Sequence, residues 1–163
     1  IVILFIFILS TLMSVQTTYW ASIFSKEFRM NNFNILVEAY FQSKVNSIFT
    51  VIVALLIIAG LTNPAINFFG DDYSGIGLII MIRVGLQGLA FAFGLPGVLL
   101  SMIGQPEKQL ARLMTGAFVT CFIGVLLIPK YGLVGAAIAG GFGSVVSAWL
   151  GNYHARRALS NLH

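Results

Sequence analysis

Arg83 is the sole basic side chain well inside an apolar run of this 163-residue chain, and Gln87 stands four residues later on the same helical face. Ionisable groups are costly inside apolar, membrane-type segments, so those retained there mark ligands, ion paths or partners. A guanidinium presents planar, paired donors that match phosphate oxygens, so this pair suits an anionic substrate met in a polar cavity. Two other uses stay open. If the helix starts near Ile76, Arg83 lies about 10 Å deep at 1.5 Å per residue, within reach of the outer interface by snorkelling, and a structural partner elsewhere in the protein would also satisfy it.

Further along the same run, Gly94-Leu95-Pro96-Gly97 combines a missing backbone donor with two flexible residues, which predicts a kink or break. Such discontinuities serve as gates or lend backbone to binding sites in transporters, and equally occur as kinks with no ligand nearby. Near the C-terminus two rows of small residues repeat every four positions. One is Gly135, Ala139, Gly143, Ser147, Gly151, and the other Gly132, Ala136, Gly140, Ser144, Ala148. Small side chains at that spacing let helix backbones approach closely, so the rows predict a packing seam, fixed or sliding.

Other chemistry is missing. There is no Gly-rich loop ending in Lys-Ser or Lys-Thr, no Ser/His/Asp set, no paired carboxylates and no metal-binding spacing, so neither an enzyme nor a bound cofactor or metal is expected. His154 and His163 read as surface residues, and Glu27, Glu38 and Glu107 as solvated loop charges. Cys121 is the single cysteine, which excludes an intrachain disulfide. The net charge of +4 comes from basic residues scattered between apolar runs, with no basic stripe for nucleic acid.

These residues must be positioned by helices in lipid. Apolar residues make up 58% of the chain and charged ones 9%, with a mean hydropathy of +0.95, against about 25% charged in soluble domains. Crossing about 30 Å of hydrocarbon takes about 20 helical residues. Stretches 1–22, 46–69, 76–102, 110–128 and 133–153 meet that length. The expected fold is therefore all-α, a polytopic membrane helical bundle with five spanning helices. Strands of a membrane barrel are shorter and alternate in polarity, which these runs do not. Gly70-Asp71-Asp72 and Gly104-Gln105-Pro106-Glu107 predict turns, and Pro129-Lys130-Tyr131-Gly132 a tight hairpin that makes the last two helices antiparallel neighbours. Within 31–44, Phe33, Leu36, Val37, Tyr40 and Phe41 recur at helical spacing, predicting an interfacial amphipathic helix on the membrane surface, with a partner-binding face as a lesser alternative.

Lys26, Arg29, Lys44, Lys108, Arg112, Arg156 and Arg157 all fall on one side of such a bundle, and Lys130 on the other with Asp71 and Asp72. The positive-inside rule then puts the C-terminus in the cytoplasm. The chain opens on Ile1 inside an apolar run, so further sequence is expected upstream.

The segment Ile128-Pro129-Lys130-Tyr131-Gly132-Leu133-Val134-Gly135-Ala136-Ala137-Ile138-Ala139 resembles the last helix hairpin of polysaccharide flippases in the multidrug/oligosaccharidyl-lipid/polysaccharide exporter superfamily. Phe68-Phe69-Gly70-Asp71-Asp72-Tyr73 is similar to that family's Phe-Gly-x-x-Tyr turn, and the loop 104–108 to its polar loop before the hairpin. The resemblance implies the last five of about twelve to fourteen helices, with an N-terminal lobe of the same protein as partner. It implies alternating access in a bacterial inner membrane and a lipid-linked oligosaccharide as substrate. A cation-coupled multidrug antiporter of the same superfamily is one alternative, disfavoured because none of the five runs contains Asp or Glu. A non-transporting membrane scaffold is the other.

Overall fold

The computed structural model describes the backbone of residues 2–69 and 76–160, and the side chains of 10–11, 13–60, 77 and 79–160. Its elements are all helices: α1 (Val2–Arg29), α2 (Phe33–Phe69), α3 (Ile76–Ala92), α4 (Pro96–Met102) and α5 (Pro106–Ser160). The expected turn at Gly70-Asp71-Asp72 falls outside the described residues.

Among the described residues two stretches are long and apolar enough to cross a membrane, Phe33–Gly60 and Pro106–Ser160, with a third if Ile79–Ala92 and Pro96–Met102, bent by 41° at their break, form one span. That is fewer than the five spans expected. Part of the difference is a fold-back inside α5. Gly132 has φ 53° and ψ −126°, a conformation that only glycine adopts readily, and Pro129 precedes it by three residues. Beyond it the chain reverses. A Cβ added at Gly124 would lie 3.9 Å from the Ala139 Cβ, and one at Gly116 2.7 Å from the Ser147 Cβ. The two arms of α5, 106–131 and 133–160, are thus antiparallel, as the Pro-Lys-Tyr-Gly segment predicted. Each rises about 40 Å at 1.5 Å per residue.

The expectation of a separate interfacial helix over 31–44 is corrected. α2 runs unbroken for 37 residues through this stretch and on into the apolar run. No Pro or Gly stands between Phe33 and Ala59, so the change from polar to apolar residues brings no change of backbone. The apolar stripe faces protein, not lipid. Leu36 and Tyr40 are fully buried with Trp20 and Phe24 of α1, Leu99 and Leu100 of α4, and Ala155 and Leu159 of α5, while Phe33 and Val37 pack against that cluster. Only Phe41 points out, 51% exposed. At the turn before α2, Asn31 adopts φ 56°, and Asn32 donates from Nδ2 to Glu27 Oε2 at 3.1 Å.

A second cluster joins Met13 of α1, Val51, Ala54 and Ile58 of α2, and Ile80 and Val84 of α3. Alongside it Gln16 clamps α1 to α2, donating from Nε2 to the Asn46 carbonyl at 3.3 Å and to Thr50 Oγ1, and accepting at Oε1 from Ser47 Oγ at 3.4 Å. Such polar contacts hold helices together where apolar burial gives little drive. Together the two clusters fix α2 and α3, and so place the break that follows α3.

Candidate functional site

The break lies at Gly94–Pro96. Proline has no N–H and its ring crowds the carbonyl four residues back, while the residue before it is pushed out of the α region. Leu95 accordingly takes φ −111° and ψ 55°, and Gly94 takes φ +82°. The Phe93 and Gly94 amides close α3 on the Ala90 and Phe91 carbonyls at 3.3 and 2.8 Å, and α4 restarts with Pro96.

A groove of about 400 Å³ opens at this break between α3, α4 and both arms of α5, within the range of about 300–1,000 Å³ typical of ligand sites. Gln87, Gln109, Arg112, Ser144 and Ser147 give it polar walls, and Phe91, Leu95 and Val98 apolar ones. Ser144 returns its hydroxyl to the Gly140 carbonyl at 2.9 Å, which leaves the amides and the guanidinium as the strong donors.

Arg112 is the charged residue of the groove. Its Nε donates to Gln109 Oε1 at 2.6 Å, the only hydrogen bond it makes among the described residues. Glycines shape its slot. A Cβ at Gly97 would collide with Arg112 Nη2 and stand 2.6 Å from Gln109 Oε1, and one at Gly151 would lie 2.8 Å from Arg112 Cδ and 3.0 Å from Pro96 Cγ. Behind the break a Cβ on Gly94 would lie 2.6 Å from Lys44 Cγ. The Lys44 ammonium donates to Asn152 Oδ1 at 2.6 Å and rests 4.6 Å from the Tyr40 ring centroid, while the Tyr40 hydroxyl donates to the same Asn152 oxygen at 3.2 Å. No carboxylate pairs with Lys44 or Arg112 among the described residues.

The sequence-predicted residues divide. Gln87, Gly94, Pro96 and Gly97 line the groove. Arg83 does not. Its guanidinium lies against the second arm, with Nη1 3.2 Å from where a Gly140 Cβ would be, and that buried nitrogen has no hydrogen-bond partner among the described residues. The two small-residue rows also part company. Gly135, Ala139, Gly143, Ser147 and Gly151 are all buried, and Gly143 and Ser147 meet Gly116 and Thr120 of the first arm. The other row turns toward α3, where Gly140 touches Arg83 and Ser144 and Ala148 border the groove, while Gly132 stays at the exposed turn.

Arg112 was read in the sequence as a marker of topology, and Gln109 was not singled out. One signal could have found Arg112: it stands four residues before Gly116 and eight before Thr120. That register puts it on the face that meets the small-residue row, not on the outside.

Comparison with family models, with curated proteins and with solved structures finds no match to this chain.

Proposed function

We propose that the protein is a membrane transporter that moves lipid-linked oligosaccharide, or a closely related polysaccharide precursor, across a bacterial inner membrane by alternating access. The observation that carries this is the groove, with polar and apolar walls and a guanidinium that no described carboxylate pairs, set where an apolar helix is broken in a largely apolar bundle. Helix breaks in membranes persist where freed backbone meets protein or a water-lined path, and a hydrophilic head group needs such a path. On this account α1, α2, the α3–α4 pair and the two arms of α5 each cross the bilayer. The basic residues at the Lys44, Lys108 and Arg156 end face the cytoplasm with the C-terminus. The seam between the arms and the second-arm row that faces α3 supply close-packed surfaces that can shift without opening voids. The similarity of the 128–139 segment to polysaccharide flippases points to the same substrate class.

The test is translocation by the full-length protein in proteoliposomes that carry a polyprenyl-diphosphate-linked oligosaccharide in both leaflets. A glycosidase added outside trims only outer-leaflet glycan. The protein should carry trimming beyond the outer-leaflet half toward completion. Trimming that halts at the level of protein-free vesicles contradicts the proposal.

A further inference from the structure

In the groove, Arg112 hydrogen-bonds among the described residues through Nε alone, so both Nη nitrogens are left for a further acceptor. The absence of side chains at Gly97 and Gly151 gives the guanidinium its place beside Pro96. Accepting from Arg112 commits the Gln109 carbonyl oxygen and leaves its amide NH₂ free to donate, and Gln87 borders the same space with no hydrogen bond of its own among the described residues. Cations also gather behind the break. Lys44 stands on the far side of Gly94, and Arg156 shares a shallow cleft with Tyr40 and Phe41. The acids on the described helices are elsewhere: Glu27 is bonded to Asn32, Glu38 to Gln42, and Glu107 is exposed.

A half-buried positive charge without a counter-charge among the described residues is costly beside apolar walls. A guanidinium and two amide NH₂ groups that line one space with no carboxylate among its lining residues suit an anion. A planar fork with two amides fits the several oxygens of a phosphate. Phe91, Leu95 and Val98 on the neighbouring wall favour an apolar chain next to it.

We propose that Arg112, with the amides of Gln109 and Gln87, forms a subsite for the phosphate group of a membrane lipid, with Lys44 behind the break adding positive field. This rests on the groove being the path of the transported head group. It assigns the phosphate to Arg112, and leaves Arg83 outside that contact.

The experiment is equilibrium binding of farnesyl diphosphate, inorganic pyrophosphate and phosphatidylglycerol to the full-length protein in neutral detergent, with phosphatidylcholine as the charge-balanced control. Farnesyl diphosphate should bind, and Arg112→Gln should weaken it about tenfold or more, the scale of a lost charged hydrogen bond. Arg112→Lys keeps the charge but loses the fork and should fall between, while Arg157→Gln, at the exposed end of α5, should bind as the parent does. Should Arg112→Gln fail to fold, Arg112→Lys and Gln87→Ala decide. Competition by phosphatidylglycerol but not phosphatidylcholine supports a lipid phosphate and identifies an ordinary phospholipid as an occupant. Inorganic pyrophosphate binding as tightly as farnesyl diphosphate overturns the lipid assignment, and affinity unchanged in folded Arg112 variants overturns the subsite. Arg112-dependent binding without translocation would leave the subsite standing and remove the transport reading, whereas translocation with binding indifferent to Arg112 would do the reverse.

Discussion

Arg83 and Arg112 show how differently two guanidiniums can be held in one apolar bundle. Arg112 sits in a slot made by two glycines and opens onto a polar groove. Arg83 lies against Gly140 with a buried nitrogen that has no hydrogen-bond partner among the described residues. Orphaned buried donors weaken a fold, and replacing them need not cost stability. A role for Arg83 in transport therefore predicts that Arg83→Gln and Arg83→Lys impair export while protein abundance stays near normal, as read by translocation alongside membrane immunoblotting. Near-normal export by both variants would reduce Arg83 to a packing residue. Arg83 drew notice because it stands alone in an apolar run, yet it does not line the groove. Arg112 did not, because an arginine near a helix start with Lys108 for company has the signature of a loop flank, and only its four-residue spacing to Gly116 places it on the seam.

Among the elements, the Gly94–Gly97 break and the Gly132 fold-back were legible because proline and glycine restrict backbone geometry locally. The course of α2 was not. A drop in polarity near Asn46 looks like a boundary, yet nothing there interrupts a helix, and the stripe from Phe33 to Tyr40 finds its partners in α1, α4 and the distant C-terminal arm. Partners that remote in sequence leave no trace in spacing. The seam between the arms gives a direct test. A Cβ at Gly143 would collide with Thr120 and stand 2.6 Å from the Gly116 carbonyl oxygen. Gly143→Leu should destabilise the protein by about 1–3 kcal/mol through overpacking, seen as a lower unfolding midpoint in detergent. Ala136→Leu, at an exposed position of the other row, should stay within about 0.5 kcal/mol of the parent. Equal behaviour of the two variants would mean that the arms do not pack as described.

For the molecule as a whole, the exterior agrees with lipid as the surrounding solvent. Phe118, Phe122 and Val125 line the outer face of the first arm at 60–74% exposure, and the two aromatic rings stack with centroids 6.4 Å apart. Water would penalise such a face, whereas hydrocarbon does not. The transport reading depends on the arms of α5 crossing the membrane in opposite directions, with Lys130 at the fold-back and Lys108 at the far end. The most direct test is labelling of single cysteines in a Cys121→Ala background, at Lys130→Cys and at Lys108→Cys, by a membrane-impermeant thiol reagent applied to intact cells. The account predicts that Lys130→Cys reacts from outside and that Lys108→Cys reacts only after permeabilisation. Equal labelling of both positions in intact cells, or labelling at Lys108→Cys alone, would contradict it.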